Sequence, residues 1–291
     1  MKILNYILPV LFVASLASCT DIVQIDIPEG EKLIIINGRI TDSIPVWVDV
    51  LESAPIFEDG DNPRIANATV LLFEDDVQVS TLTQDTAEIY RSSFVGTVGK
   101  TYRVEVTVPA DHPELGNTTW ASVDELLKPT APIDTIYQDY LQANPPFQDE
   151  GIYIFYEFQD PVGVGDRYRI RTWRNDTLFS GGGAIVAFDD EFFDGYTFTN
   201  DVTVPLRLPA IQANGQPAKV GQPWKIEHSS LSNDYQNYLL LVQQQTSQTG
   251  GLFDPPPALL EGNIKGITSP ERTALGYFAA SGIYTVEYTV Q

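Results

Sequence analysis

The stretch TYRVEVTVP, Thr101 to Pro109, decides how this chain is read. Tyr102, Val104, Val106 and Val108 fall on every second residue, with Arg103, Glu105 and Thr107 between them. Side chains alternate across a strand, so this spacing sets an apolar face against a core and a polar face toward water. The same two-residue period runs through VWVDV (46–50), ATVLLFED (68–75), IYIFYEF (152–158) and IYTVEYTV (283–290). With 21 Gly and 20 Pro punctuating these runs, the expected fold class is mainly β.

Working outward, residues 32–126 read as a series of short strands joined by turn-rich loops such as FEDGDNPR and SFVGTVGK, a pattern that suits a small seven-strand β-sandwich. The segment LLKPTAPIDT carries Pro129 and Pro132 and reads as a linker over 127–135. Residues 136–291 are expected to form a second β-sandwich-like domain with one packed α-helix. That helix is LSNDYQNYLLLVQQQ, predicted over about 232–246. Leu231, Tyr235, Tyr238, Leu239 and Val242 form its apolar stripe. Ser232 is placed to cap its start, Asp234 suits the first turn, and Gly250 and Gly251 follow its polar tail. The stripe is expected to be core.

At the N-terminus, MKILNYILPVLFVASLAS (1–18) joins Lys2, an apolar run and small residues, the order of a secretory signal peptide. The run is too short, and too interrupted by Asn5 and Pro9, for a spanning helix. Cys19 is the sole cysteine, and Leu16-Ala17-Ser18-Cys19 resembles the bacterial lipobox, in which the thiol is acylated and the chain cut before it. Burial of acyl chains contributes about 0.8 kcal/mol per CH₂, so two or three chains anchor stably. Residues 19–31 are then a tether, with Asp21, Asp26, Glu29 and Glu31 as a loose acidic stretch. Thr20, rather than Asp, after the cysteine favours the outer membrane.

Loss of Lys2 with the leader takes the formal net charge from −22 to −23 and leaves one thiol and no methionine. Disulfides and thiol redox catalysis are excluded. So acidic a chain repels nucleic acid and offers no basic patch to anionic lipid. At 43% hydrophobic residues it has the material for folded cores.

Several phrases then coincide in order: LIIINGRIT, ANATVLLFEDD, EIYRSSFVGTVGKTYRVEV, PIDTI, GDRYRIRTWRNDTL, FDDEFFDG, the helix, FDPPPALLEGNIKG and ALGYFAAS. Together with the lipobox they resemble the Bacteroidetes lipoproteins grouped as domain of unknown function 4249, over essentially the whole mature chain. The resemblance implies an N-terminal sandwich like transthyretin or carboxypeptidase regulatory domains. It also implies frequent encoding beside TonB-dependent outer-membrane receptors. No catalytic residue is carried over with it.

Candidate chemistry is sparse. A hydrolase requires a nucleophile beside a positioned base. His112 in PADHPELG and His228 in WKIEHSS come with no GxSxG phrase, and two isolated histidines make no zinc set. No cofactor or resident metal is expected. The acidic groups Glu58-Asp59-Gly60-Asp61-Asn62 and Asp189-Asp190-Glu191 with Asp194-Gly195 lack EF-hand spacing and read as solvated turns rather than calcium loops. The sharpest charged stretch is DRYRIRTWRND. On a strand, Arg167, Arg169 and Arg171 share one face beside Trp173, the candidate ligand-facing surface for a carboxylate or sugar. The plainer alternative pairs them with the chain's own acids, Glu157 or the Asp189 to Asp194 loop. Asn67, Asn117 and Asn175 stand in sequons, and Asp42, Asp85, Asp134 and Asp176 in phrases like a Bacteroidetes O-glycan acceptor.

The expected protein is a non-enzymatic, palmitate-type lipoprotein of the cell envelope, anchored in the outer membrane through Cys19. Its expected role is accessory or ligand-binding partner of a TonB-dependent receptor in nutrient uptake. The alternatives are an envelope-tethered hydrolase acting on glycans or peptides, and a structural or adhesive surface module.

Overall fold

The computed structural model describes residues 31–54, 61–145, 149–178, 185–198, 208–209, 217–247 and 259–291. The signal peptide, Cys19, the tether through residue 30 and Glu58-Asp59-Gly60 lie outside the described residues, as do Gly250 and Gly251. Among the described residues no helix is long and apolar enough to cross a membrane. Lys32–Gln291 forms one compact unit.

The chain is mainly β, as its alternation requires. It begins with β1 (Ile34–Thr41), β2 (Trp47–Glu52), β3 (Thr69–Glu74), β4 (Val77–Gln84), β5 (Tyr90–Arg91), β6 (Thr101–Thr107), β7 (Thr119–Ser122) and β8 (Glu125–Leu126). There follow β9 (Thr135–Leu141), β10 (Gly151–Gln159), β11 (Arg167–Arg174), β12 (Thr177–Leu178), β13 (Val186–Asp189), β14 (Thr197–Phe198), β15 (Leu208–Pro209) and β16 (Pro223–Ser230). After α1 (Asn233–Thr246) come β17 (Ile264–Gly266), β18 (Ala274–Leu275), β19 (Phe278–Ser281) and β20 (Ile283–Thr289).

The first core has the composition predicted for residues 32–126, but not their exclusive ownership. Its sheet runs β17-β7-β6-β3-β4-β5-β2-β1-β18, with β19 also on β1 and β8 on β6. The terminal strands β17 and β18 come to lie beside one another, so the sheet curls around Ile34, Val48, Val70, Val104 and Trp120. Tyr102, Val104, Val106 and Val108 are buried, the face that TYRVEVTVP predicts. Ile264, Ala274, Phe278 and Ala280 belong to this core although they lie more than a hundred residues downstream. Strand-to-strand hydrogen bonding is indifferent to sequence distance, and β1 pairs in parallel with β18 and β19.

The second core lies between two smaller sheets, β14-β10-β15 with β9, and β12-β11-β16-β20 with β13. Ile154, Tyr156 and Phe158 of β10 meet Tyr168 and Ile170 of β11 and Trp224 and Ile226 of β16. The proline segment between the cores is clamped. Leu127, Ala131 and Ile133 are buried, and the Lys128 carbonyl accepts from Ser230 Oγ at 2.7 Å and Gly282 N at 2.9 Å.

Turn chemistry explains the asparagine sequons. Asn67, Asn117 and Asn175 all take positive φ, a left-handed conformation that Asn tolerates better than most residues. Asn175 and Asp176 are both left-handed and close the β11–β12 hairpin, as Asp75 and Asp76 close β3–β4, the signature of a type I′ turn.

His228 is wholly buried, its ring 4.6 Å from that of Phe158 and 4.7 Å from that of Tyr168. Its Nδ1 lies 3.0 Å from the Ala131 carbonyl. A carbonyl only accepts, so Nδ1 carries the proton and Nε2 is left without a partner. Burial lowers its pKa to about 4. Folded His228 therefore resists a proton that the unfolded chain accepts near pH 6.5, and stability is lost as pH falls through that window. Compared with His228→Asn, whose amide keeps a donor toward Ala131, the natural protein should lose about 3 kcal/mol between pH 7 and pH 4. Urea unfolding of both proteins across that range tests this, and a constant difference contradicts it. The buried carboxyls titrate alike in both proteins and cancel.

Candidate functional site

The arginine stripe of β11 lies where the alternation puts it, opposite the buried Tyr168, Ile170 and Thr172. It faces inward onto the rest of the molecule. Arg171 meets its cross-strand neighbour Glu227 on β16, with Nε 2.9 Å from Oε1 and a second nitrogen at 2.5 Å. Arg39 of β1 reaches the same carboxylate from the first sheet, at 2.9 Å to Oε1 and 3.2 Å to Oε2. Glu227 thus holds two guanidiniums, and its own exposure is 2%. Arg169 donates to Tyr235 Oη at 3.0 Å, and Arg167 to the Gly165 carbonyl at 3.0 Å. Among the described residues Arg171 is the one of the three arginines paired with an acid, and that acid is Glu227. Trp173 lies 5.3 Å below Arg171 and 4.2 Å from the Lys225 ammonium, ring centroid to charge.

The acidic loop expected to be a solvated turn folds back onto the loop after β10. Oxygens of Asp160, Asp190 and Asp194 come within 4.8 Å of one another, with Asp160 and Asp190 buried. Backbone amides of Gly165, Asp166 and Gly195, with the Tyr168 hydroxyl, donate to Asp160 and Asp190 at 2.5 to 3.0 Å. Burial raises the pKa of Asp160 and Asp166, and the neighbouring carboxylates add to the effect. His112 is held by Glu52, 3.4 Å from its Nε2, and accepts the Leu115 amide.

Trp173 lines a small cleft of about 180 Å³ with Lys225 and Glu287, and a larger one of about 550 Å³ lies between the first turns of α1 and the strands β8 and β17. Helix α1 begins as its sequence predicts. Ser232 caps it by accepting the Tyr235 amide at 3.1 Å, and Asp234 occupies the first turn. The predicted apolar stripe is only half core. Leu231 and Leu239 are buried, whereas Tyr235, Tyr238 and Val242 are half-buried; Tyr235 stacks on Tyr277 at 4.6 Å and Tyr238 lies tilted against it at 5.2 Å. Tyr238 and Tyr277 form an aromatic wall of the cleft.

At the base is Glu125, 5% exposed. Its Oε1 accepts the Tyr277 hydroxyl and Asn263 Nδ2, while Oε2 is buried without a partner. Asn263 is fixed in turn by two hydrogen bonds to the Phe278 backbone, 2.9 and 3.0 Å. Burial raises the Glu125 pKa; the hydrogen bonds of Tyr277 and Asn263 oppose it, as does Ser232, whose hydroxyl is near enough to favour the charged form without closing a bond to Oε2. Asp234 raises it further by charge. Gly262 completes the floor. A Cβ there would stand 1.7 Å from the Gly276 carbonyl, so only glycine lets the turn reach Tyr277.

Sequence reasoning passed over Glu125, although a signal exists. In TWASVDELL the residue in phase with buried Leu127 is Glu125, while Asp124 and Leu126 point outward. A charge on the core side of an alternating segment marks a position with a special partner.

The family model described as "Domain of unknown function (DUF4249)" matches residues 20–287. The chain belongs to that family. No curated protein matches it.

Removing one partner of a buried ion group leaves the others uncompensated. Glu227→Gln should lower unfolding stability by about 3 kcal/mol, measured by denaturant titration. Asp75→Asn, which breaks the exposed pair with Lys100, should cause a much smaller loss. Equal losses would remove the triad from its structural role.

Proposed function

We propose that this member of the DUF4249 family is a non-enzymatic outer-membrane lipoprotein, anchored by acyl chains on Cys19, that serves a TonB-dependent receptor as an accessory, ligand-capturing partner. What supports capture is the cleft at Glu125, an open concavity that joins a buried, half-satisfied carboxyl to an aromatic wall. Ligand sites commonly have this form. What speaks against a hydrolase built on a nucleophile and a histidine base is the placement of both histidines. His228 is sealed in the second core and His112 is tied to Glu52, so neither lines the cleft.

Two-residue β5 alone connects β4 to β2, so the curled first sheet reads as two facing sheets of a transthyretin-like sandwich joined at that point.

Anchoring explains how a weak module serves a receptor. Confinement to the membrane plane raises the effective concentration of each partner for the other, and modest contacts then suffice. Surface or periplasmic orientation does not alter that arithmetic.

Affinity capture of the intact lipoprotein from gently solubilised envelopes should recover a TonB-dependent receptor. Cys19→Ala should move the protein into the soluble fraction and abolish the recovery. Unmodified Cys19 by mass spectrometry, or capture without a receptor, contradicts the proposal.

A further inference from the structure

We infer that the cleft at Glu125 takes a primary alkylammonium group, such as that of a diamine or a lysine side chain. This deepens the reading of the chain as a ligand-capturing module and rests on it.

The vacancy is specific. Among the described residues four carboxylates are buried: Glu125, Asp160, Asp190 and Glu227. Asp160 and Asp190 accept donors at both oxygens. Glu227 does so from two arginines. Glu125 alone keeps an oxygen without a donor, and it alone of the four lines the cleft. Oε2 itself is covered and has the Ser232 side chain nearby, so a donor in the cleft that Glu125 lines completes it with a shift of the side chains around it.

The surroundings choose the donor's charge. Asp124, Asp234 and Glu261 line the same cleft, against the single cation Lys265. The N-terminus of a helix by itself favours an anion, but here Ser232 caps it and Asp234 stands in its first turn. An ammonium offers three donors and no acceptor, the complement of a set of carboxylate oxygens. The ring of Tyr277 is covered by Tyr235 and Tyr238, but half-buried Tyr238 lines the cleft, and an aromatic ring attracts a cation by its negative quadrupole and covers an alkyl stem with its carbon surface.

Other ligands fit less well. A sugar finds donors and acceptors on the exposed amides of Asn233 and Asn237, but it carries no charge to answer Asp234 and Glu261. Calcium requires several oxygens converging on one point. Among the described residues the carboxylates that converge so closely are Asp160, Asp190 and Asp194, outside this cleft.

Isothermal titration calorimetry of the full chain with 1,5-diaminopentane, 1,5-pentanediol and calcium chloride tests the inference. The diamine should bind and the diol, equal in length and uncharged, should not. Glu125→Gln keeps an acceptor for Tyr277 and should weaken diamine binding at least tenfold. Asp176→Asn, in the β11–β12 turn outside the cleft, removes the same charge and should leave it unchanged. Should Glu125→Gln fail to fold by thermal melt, Asp234→Asn on the exposed rim should weaken binding at least threefold. Diol binding equal to diamine binding, competition by calcium at equal concentration, no diamine binding, or equal affinity in a folded Glu125→Gln each overturn the assignment. Receptor recovery with no diamine binding sinks the ammonium site alone, and diamine binding without receptor recovery sinks the receptor partnership alone.

Discussion

The Arg39–Glu227–Arg171 triad holds this molecule in its shape. Arg39 stands on the face of β1 opposite Ile34, Ile36 and Ile40, so it points out of the first core. Glu227 and Arg171 stand on the faces of β16 and β11 opposite Ile226 and Ile170, out of the second. Two sheets that each own a hydrophobic core thereby meet across a charged seam. An ion pair taken out of water returns little net energy, since desolvation offsets attraction. What it returns is geometry. Bidentate guanidinium forks accept few orientations of the carboxylate, so the seam fixes how one sheet lies on the other where apolar surfaces would permit sliding.

From that seam the cleft is built in sequence. Arg169, one step along the same stripe, donates to Tyr235, and the Arg167 carbonyl accepts the Leu231 amide at 2.8 Å. These bonds seat the start of α1 on β11. Tyr235 stacks on Tyr277, and the Tyr277 hydroxyl donates to Glu125. The arginine stripe is therefore a support for the site and not the site itself. The Arg169 guanidinium and the Arg167 carbonyl seat the helix, its tyrosines pack on Tyr277, and Tyr277 holds the carboxyl.

Alternation made the strands legible, because burying one face and wetting the other leaves a two-residue trace in any sequence. The cap at Ser232 and the extent of α1 were legible for the same local reason. Two things were not. Strand partners are set by backbone groups common to all residues, so nothing in FAAS announces that β19 joins β1 of the first core. Nor does periodicity reveal what a face meets: Arg167, Arg169 and Arg171 alternate as a solvent-facing stripe would, yet the far surface is another sheet. Tyr238 shows the same limit on a helix, where the apolar stripe leads into the core at Leu239 and into a cleft one residue earlier. Glu125 left a trace, a charge in phase with Leu127, but two residues of strand are too short for an alternation to be read with force.

Stability alone gives no reason for a carboxyl at position 125. A glutamine there would accept from Tyr277 and Asn263 through its oxygen and avoid the burial of charge that raises the Glu125 pKa, at the cost of an amide nitrogen in place of Oε2 that needs an acceptor. A buried acceptor left without a donor costs about 1 to 3 kcal/mol, against a total stability for a folded protein of only about 5 to 15 kcal/mol. A donor entering the cleft recovers that cost on binding, and the same deficit that weakens the empty fold becomes affinity for the filled one. Tight contact is not required of such a ligand, because the deficit is already present before it arrives. Tyr238 and Tyr277, seated through Tyr235 and Arg169 on β11, line the side of the cleft from which that ligand enters.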